Sequence, residues 1–255
     1  MLVLCGSAQT FMEQLEARGA PLFNRFTAKL IVRPLSYLES AEFVPSLSAS
    51  DKALVSGILG GTPFNLDQWD AGRDVRANLM HLFADPMSPL VDSPDRILSA
   101  DLPDPRVAYR VLQGIALGHS RWAEIRDYAK VHDRVLPRLL DVGLIERHVP
   151  VTEDPLKSRR SVYRIPDPYL RFWFRFILRN RGAIERGLGE SLVKEKIVPL
   201  LDDSMGQTFE DMAREFTLGL VREGRKLLGG LMGKYTNSPP PLASNVCLVY
   251  DKYGS

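Results

Sequence analysis

The chain has 255 residues, of which 45% are hydrophobic and 25% charged, and its formal net charge is only +2. This composition is that of an ordinary globular protein, and it excludes nucleic-acid binding driven by bulk charge, so any such site must be a local patch. Cys5 and Cys247 are too far apart to indicate a disulfide framework, and no metal-ligand spacing occurs. No apolar run approaches the ~20 residues of a membrane span.

The first residues predict one strand and one helix of a parallel sheet that is covered on both sides. Leu2–Cys5 is apolar on both faces, and a helix with Phe11, Met12 and Leu15 follows and ends at Gly19. One strand cannot form a stable sheet. Either the two chain ends meet or, as we favour, the rest of the sheet lies outside this chain. Because no signal peptide is visible, we expect a cytoplasmic protein with no membrane contact.

Residues 34–101 predict a set of helices. Apolar periodicity places them at Leu35–Phe43, Lys52–Leu59 and Arg73–Ala84, with a break at Gly60–Pro63. Three prolines, Pro86, Pro89 and Pro94, indicate a linker before a short helix at Asp95–Ala100.

Residues 102–166 predict a winged helix-turn-helix. Asp104-Pro105 starts a helix that stops at Gly118, Ser120 can cap a helix over Arg121–Ala129, and a third helix runs from near Arg134 to Gly143 with Pro137 in its first turn. The segments 145–149 and 161–165 then alternate apolar and polar residues, as two half-buried strands do. Three helices and a basic hairpin form the winged variant of the DNA-binding motif.

This module indicates a DNA-binding surface made of basic side chains from the third helix and the hairpin. They are Arg134, Arg138, Lys157, Arg159, Arg160 and Arg164. The helix would face the major groove and the hairpin would contact the phosphate backbone. The alternative is a winged helix that serves only as a packing or hinge module.

Residues 167–180 predict a helix that begins at Asp167-Pro168 and is rich in aromatic side chains, which favours core packing over base stacking. Arg171, Arg175 and Arg179 recur at every fourth residue. They predict either a phosphate-binding face with the hairpin arginines or a solvated face paired with Glu185 or Glu190.

Short motifs also follow one another in the order found in a known family. They are Leu2–Ser7, Ala20–Arg25, Arg33–Ser36, Gly60–Pro63, Tyr109–Gly118, Gly143–Arg147, Pro150–Glu153, Tyr163–Asp167, Leu170–Phe176 and Gly206–Glu210 with Glu215. The ordered set resembles the archaeal-type P-loop ATPases of the STAND and AAA+ group, which carry a winged helix and then a nuclease-like C-terminal domain.

The resemblance covers residues 1–222 and implies a mainly α fold with a small amount of β. It divides the chain into a remnant of the α/β ATPase core at 1–33, a helical lid at 34–101 and the winged helix at 102–166. A linker helix with the truncated start of the nuclease-like α/β domain follows at 167–222, and a divergent tail occupies 223–255.

The resemblance implies nucleotide-sensing roles for Ser7 and Arg25. The 255 residues, however, contain no Gly-x-x-x-x-Gly-Lys-Ser/Thr loop and no preceding strand with paired acids, the elements that hold ATP and magnesium in complete family members. We therefore expect no cofactor and no catalytic residue in this chain alone. A strand-end serine and a surface arginine are the simpler interpretation.

The nuclease-like part is incomplete in the same way. Glu210 and Glu215 match its opening, but the further acids and the lysine that would hold a metal are not found. The first interpretation is therefore a non-enzymatic regulator that binds DNA or a partner. The second is part of an ATP-hydrolysing protein whose P-loop lies upstream, on a partner chain or in a homo-oligomer. The third is a nuclease-like defence or toxin protein.

Overall fold

The computed structural model describes residues 32–102, 105–150, 153–154, 157–158 and 160–222, together with scattered positions between Leu4 and Leu30. Within these residues the chain is mostly helical and contains one antiparallel sheet of two strands. The mainly α expectation with a small β component is therefore confirmed. The strand expected at Leu2–Cys5 lies outside the described residues apart from Leu4, and the tail at 223–255 lies outside them entirely.

The described elements follow in chain order. The first five helices are α1 Tyr37–Ala41, α2 Ala49–Leu59, α3 Pro63–Leu66, α4 Val75–Phe83 and α5 Pro89–Asp101. Next come α6 Pro105–Ala116, α7 Trp122–Ala129, α8 Val135–Asp141, β1 Glu146–His148 and β2 Val162–Arg164. A long helix contains α9 Pro168–Phe172, a π-helical turn Trp173–Ile177, a 3-10 turn Leu178–Asn180 and α10 Arg181–Glu185. A similar one contains α11 Gly189–Leu192, the turns Val193–Ile197 and Val198–Leu200, and α12 Leu201–Ser204, and α13 Gly206–Arg222 follows.

The break expected at Gly60–Pro63 is present, and the structure explains its two glycines. Gly60 has a φ of +68°, a left-handed conformation that favours glycine. A Cβ on Gly61 would lie 2.1 Å from the carbonyl oxygen of Leu35, whose own N–H donates to the Gly61 carbonyl at 2.8 Å. The segment therefore joins the end of α2 to the chain just before α1, and Pro63 then begins the short helix α3, which the sequence analysis missed.

The proline-rich linker was predicted wrongly. Pro89 is the first residue of α5, where its missing N–H costs nothing, and Pro94 lies inside the helix. A proline cannot donate to the carbonyl four residues earlier, so Pro94 leaves the Leu90 carbonyl without its helical partner. The Tyr169 hydroxyl donates to that carbonyl at 2.6 Å, and the Trp173 indole N–H donates to the carbonyl of Val91 at 2.8 Å. The aromatic helix thus replaces the lost donor and stabilises α5.

The helix expected at Asp167-Pro168 is confirmed, and its aromatic side chains form the centre of the core. The Asp167 carboxylate caps it by accepting from the N–H groups of Tyr169 and Leu170. Trp173 and Phe174 are fully buried, and the rings of Phe83 and Phe172 lie 5.0 Å apart between centroids. Buried apolar residues form one cluster from Val44 to Leu201, so α2–α5, the three central helices, the aromatic helix and the helix that contains α11 and α12 share one core. No helix in the described part of the chain has the length and apolarity to cross a membrane.

Candidate nucleic-acid interface

The three central helices and the two strands lie where the sequence predicts them. The second helix begins one residue later than expected, at Trp122, and its N-cap is Arg121 rather than Ser120. The Glu124 carboxylate accepts instead from the N–H groups of Ser120 and Arg121, at 3.3 Å each. The Ser120 carbonyl accepts from the N–H of Tyr163 at 2.8 Å, which fastens the start of this helix to β2.

Helix α8 is short and presents its basic residues to solvent. It comprises Val135–Asp141, with Pro137 in its first turn as expected, and Gly143 follows at a φ of +70°. Leu139 is fully buried and anchors the helix, whereas Arg134 and Arg138 are exposed. Val135, Leu136 and Leu140 also pack against the core, and the four-residue spacing places the two arginines on one outer face.

The two strands form a ribbon whose inner side packs on α7. Arg147 pairs with Tyr163 and His148 with Val162 in the antiparallel register. The Tyr163 ring meets the Trp122 ring edge-on at 6.0 Å between centroids, and Ile165 is fully buried at the ribbon base. The ribbon is thus held against the three-helix part by an aromatic contact.

Side chains order the described part of the ribbon tip. Glu153 accepts from the Ser158 hydroxyl at 2.7 Å and pairs with Arg160 at 2.8 Å. The Arg160 side chain remains 72% exposed, and Lys157 is exposed beside it. Arg159 lies outside the described residues. The sequence analysis missed Arg147, which donates to the Ser161 hydroxyl at 2.8 Å. Strand alternation places Arg147 on the same face as Ile145 and Val149, so the pattern gave no signal for an outward basic residue there.

The charge of this region differs from that of the whole protein. Across residues 102–166, Lys and Arg number 12 and Asp and Glu number 8, a local net charge of +4, whereas the whole chain carries +2. The remainder of the chain therefore carries a net −2. A local excess of this sign is what a phosphate-binding patch requires in a nearly neutral protein.

Arg164 lies apart from the other predicted DNA-binding residues, at the base of the ribbon. Its Nη2 contacts Glu210 Oε2 on α13 at 3.0 Å. Its strand partner Glu146 has a lowered pKa, chiefly because the His148 side chain hydrogen-bonds to it, with smaller effects from nearby arginines. The structure thus groups Arg134 with Arg138, and Lys157 with Arg160, and it brings Arg164 to the C-terminal helix.

The expected basic stripe on the aromatic helix is not a continuous exposed face. Arg171 is only 9% exposed and donates to the Ile165 carbonyl at 3.0 Å and to Thr208 Oγ1 at 2.9 Å. Arg175 pairs with Asp203 at 2.7 Å, and only Arg179 is exposed. Burial lowers the pKa of Arg171 and raises that of its neighbour Asp211, although each opposes the other's shift.

The acids expected to pair with the stripe have other partners. Glu185 pairs with Arg181 and Glu190 with Lys194. The stripe therefore divides between a buried arginine, a paired one and an exposed one, because acids from α12 and α13 pack against the helix.

The two acids of the nuclease-like motif have separate surroundings. Glu210 contacts Arg164 and Arg214, whereas burial, with the nearby charge of Glu39, raises the pKa of Glu215. No cluster of three or more His, Cys, Asp or Glu suited to a metal ion occurs among the described residues. Of the two nucleotide-sensing residues, Arg25 is exposed and Ser7 lies outside the described part.

Comparisons with known proteins give a family match for the C-terminal part and one longer relative. The family DUF234, archaeal and bacterial proteins of unknown function, matches residues 173–231. The uncharacterized protein MJECL04 of Methanocaldococcus jannaschii is 29% identical over 234 residues, which cover 86% of this chain and 50% of the relative. The chain thus spans about half the length of the curated relative it matches. No solved structure matches. These similarities agree with an archaeal type of protein.

Proposed function

We propose that this chain binds duplex DNA through α8 and the ribbon tip, acting as a winged-helix regulator without catalytic activity of its own. The observation that carries the proposal is the local net charge of +4 on a module whose outer helix and ribbon tip present exposed basic side chains. Three helices followed by an antiparallel ribbon is the arrangement in which a winged helix-turn-helix meets DNA.

The length of α8 sets the kind of binding. It has seven residues, with Arg138 inside it and Arg134 just before it, which allows few contacts to base edges. Lys157 and Arg160 at the ribbon tip suit phosphate oxygens better than bases. We therefore expect binding of low sequence selectivity that weakens steeply with salt, because each phosphate contact releases about 0.9 counterions.

Two double substitutions test this function separately on the helix and on the ribbon. Arg134→Ala with Arg138→Ala removes two cations at α8, and Arg159→Ala with Arg160→Ala removes two cations of the segment that joins the strands in the sequence. We expect each to weaken binding to a labelled duplex about tenfold at low salt and to reduce the salt slope by about two. Fluorescence anisotropy titrations at several salt concentrations measure both quantities.

A matched control separates a local site from a general effect of charge. Arg76 on α4 and Arg186 after α10 are exposed and lie outside residues 102–166. Arg76→Ala with Arg186→Ala removes the same charge and is expected to leave binding within about twofold. Equal losses in the control and test variants, or unchanged binding in both test variants, would contradict the proposed site.

The length of the relative favours a second candidate, in which this chain is one part of an ATP-hydrolysing protein. The matched region covers 50% of that relative, so a P-loop would be supplied by other residues or by another chain. Ser7 and Arg25 would then complete the nucleotide site. Magnesium-dependent ATP hydrolysis measured on the purified 255-residue chain decides the matter: turnover would contradict the non-catalytic proposal. Restoration of turnover by an added P-loop chain would support the second candidate.

A further inference from the structure

The motif Gly206–Glu210 lies outside the proposed DNA interface. It begins α13, and its side chains close on the base of the ribbon. Gln207 Nε2 donates to the Ile165 carbonyl at 3.3 Å. Buried Arg171 donates to the same carbonyl and to the Thr208 hydroxyl, and it contacts Asp211 at 3.5 Å. We call Gln207, Thr208, Glu210 and Asp211 the ribbon clasp.

Within the clasp, Glu210 contacts Arg164, one of the residues predicted to bind DNA. Its two oxygens are shared between Arg164 Nη2, at 3.0 Å, and Arg214 Nη2, at 3.1 Å. The side chains of Arg164 and Glu210 are 24% and 35% exposed, so solvent only partly screens their attraction. Arg164 Nη1 is buried and has no hydrogen-bond partner among the described residues. The guanidinium is therefore held by one carboxylate and retains an unused donor.

We propose that Glu210 acts as an internal competitor of DNA phosphate for Arg164, so that the clasp holds one ribbon arginine away from nucleic acid. This inference rests on the proposed function. A carboxylate and a phosphate bind the same fork of guanidinium donors, and Nη2 cannot serve both at once. Removing the Glu210 charge leaves Arg164 able to reach a phosphate and adds one cation to the ribbon.

The surroundings of Arg164 support this competition. Two other carboxylates lie near Arg164. Glu146 faces it across the ribbon but is engaged with His148 at 3.2 Å. Asp211 also attracts it but is engaged with Arg171 and Arg214, at 3.5 Å each. Arg214 and Arg171 repel Arg164, and Glu210 and Asp211 offset that repulsion. Loss of the Glu210 charge therefore favours outward movement of Arg164 rather than a new internal pair.

The test is duplex binding by Glu210→Gln, which keeps the size of the side chain and removes its charge. We expect affinity to increase about threefold to tenfold at low salt and the salt slope to increase by about one. Glu190→Gln is the matched control, because Glu190 is exposed and pairs with Lys194 at 3.2 Å in the same way. Equal gains in the two variants would overturn the inference by assigning the gain to net charge.

A second variant shows whether the gain passes through Arg164. Arg164→Ala combined with Glu210→Gln should bind the duplex no more tightly than Arg164→Ala alone, so that the gain from Glu210→Gln is abolished. Persistence of the full gain in the double variant would overturn the inference while leaving the proposed DNA function intact.

Hydrogen exchange of the ribbon separates the clasp from DNA binding. The amides of Val162–Arg164 should exchange faster in Glu210→Gln than in Glu190→Gln, since the ribbon base loses one of its attachments. Equal exchange would overturn the clasp whatever the DNA result. Faster exchange with no duplex binding by any variant would overturn the proposed function, and with it the competition, but not the mechanical clasp.

Discussion

Two regions of the molecule are rich in arginine, and they differ in how far the side chains are buried. One is the aromatic helix, and the other consists of α8 and the ribbon tip. Arg171 is buried and serves three groups on the ribbon and on α13, whereas Arg160 keeps 72% of its side chain exposed. Both regions are rich in arginine in the sequence. The difference shows that spacing along a helix does not identify a binding surface, because elements packed later in the chain determine which arginines remain exposed.

The largest expected effect tests the buried side of this comparison. Arg171→Met removes the donor to the Thr208 hydroxyl and one of two partners each of Asp211 and the Ile165 carbonyl, and we expect a loss of about 2–4 kcal/mol in the free energy of unfolding. Arg179→Met is the control on the same helix, because Arg179 is exposed, and it should change stability by less than about 0.5 kcal/mol. Urea denaturation measures both, and equal losses would contradict the structural role of Arg171.

The next effect concerns the contact that permits a proline inside α5. Tyr169→Phe removes the hydroxyl that donates to the Leu90 carbonyl and should cost about 1–2 kcal/mol of unfolding free energy. Pro94→Ala supplies a backbone N–H for that carbonyl, so it should recover much of the loss when combined with Tyr169→Phe. A double-mutant cycle by urea denaturation measures this coupling, and strictly additive losses would show that the hydroxyl does not replace the missing donor.

A smaller, pH-dependent effect is expected at Asp167. Burial raises the pKa of this carboxyl in the folded state, although its two backbone hydrogen bonds act against the shift. The folded protein therefore binds the proton more tightly than the unfolded chain, and Asp167 contributes a loss of stability as pH rises through the unfolded and then the folded pKa. Asp167→Asn keeps a capping acceptor and cannot ionise.

We expect the stability of the Asn variant relative to the native sequence to increase as pH rises above about 4, the ordinary pKa of an aspartate. Urea denaturation at several pH values gives the free energy of unfolding of each protein. The contributions of other titrating groups largely cancel in the difference between the two. A difference that stays constant with pH would show that the Asp167 carboxyl has the same pKa in both states.

The smallest expected effect on stability belongs to the exposed side of the comparison. Arg134→Ala should change the free energy of unfolding by less than about 0.5 kcal/mol, because Arg134 is exposed just before α8. The same variant should weaken duplex binding about threefold at low salt. A large loss of stability would place Arg134 with the structural arginines and remove it from the proposed interface.

Local signals were sufficient for much of the fold. The start of α9 follows from the side chain of Asp167, and the end of α8 follows from Gly143. The first helix was placed at Leu35–Phe43, whereas α1 is Tyr37–Ala41 and is capped by Ser36. The ribbon follows from alternation, because a half-buried strand repeats its environment every second residue. Of the residues predicted to bind DNA, Arg134 and Arg138 are exposed, and their contact with DNA stays a prediction.

Taken alone, the amino-acid order determined where the central helices and the ribbon begin and end, since caps, glycine stops and apolar periods act over a few residues. Tertiary structure decided how prolines and arginines are used. Pro94 is tolerated because Tyr169 lies 79 positions later in the chain, and Arg171 is buried because Asp211 lies 40 positions away. A buried polar group needs a partner, and only the folded chain determines which distant residue provides it.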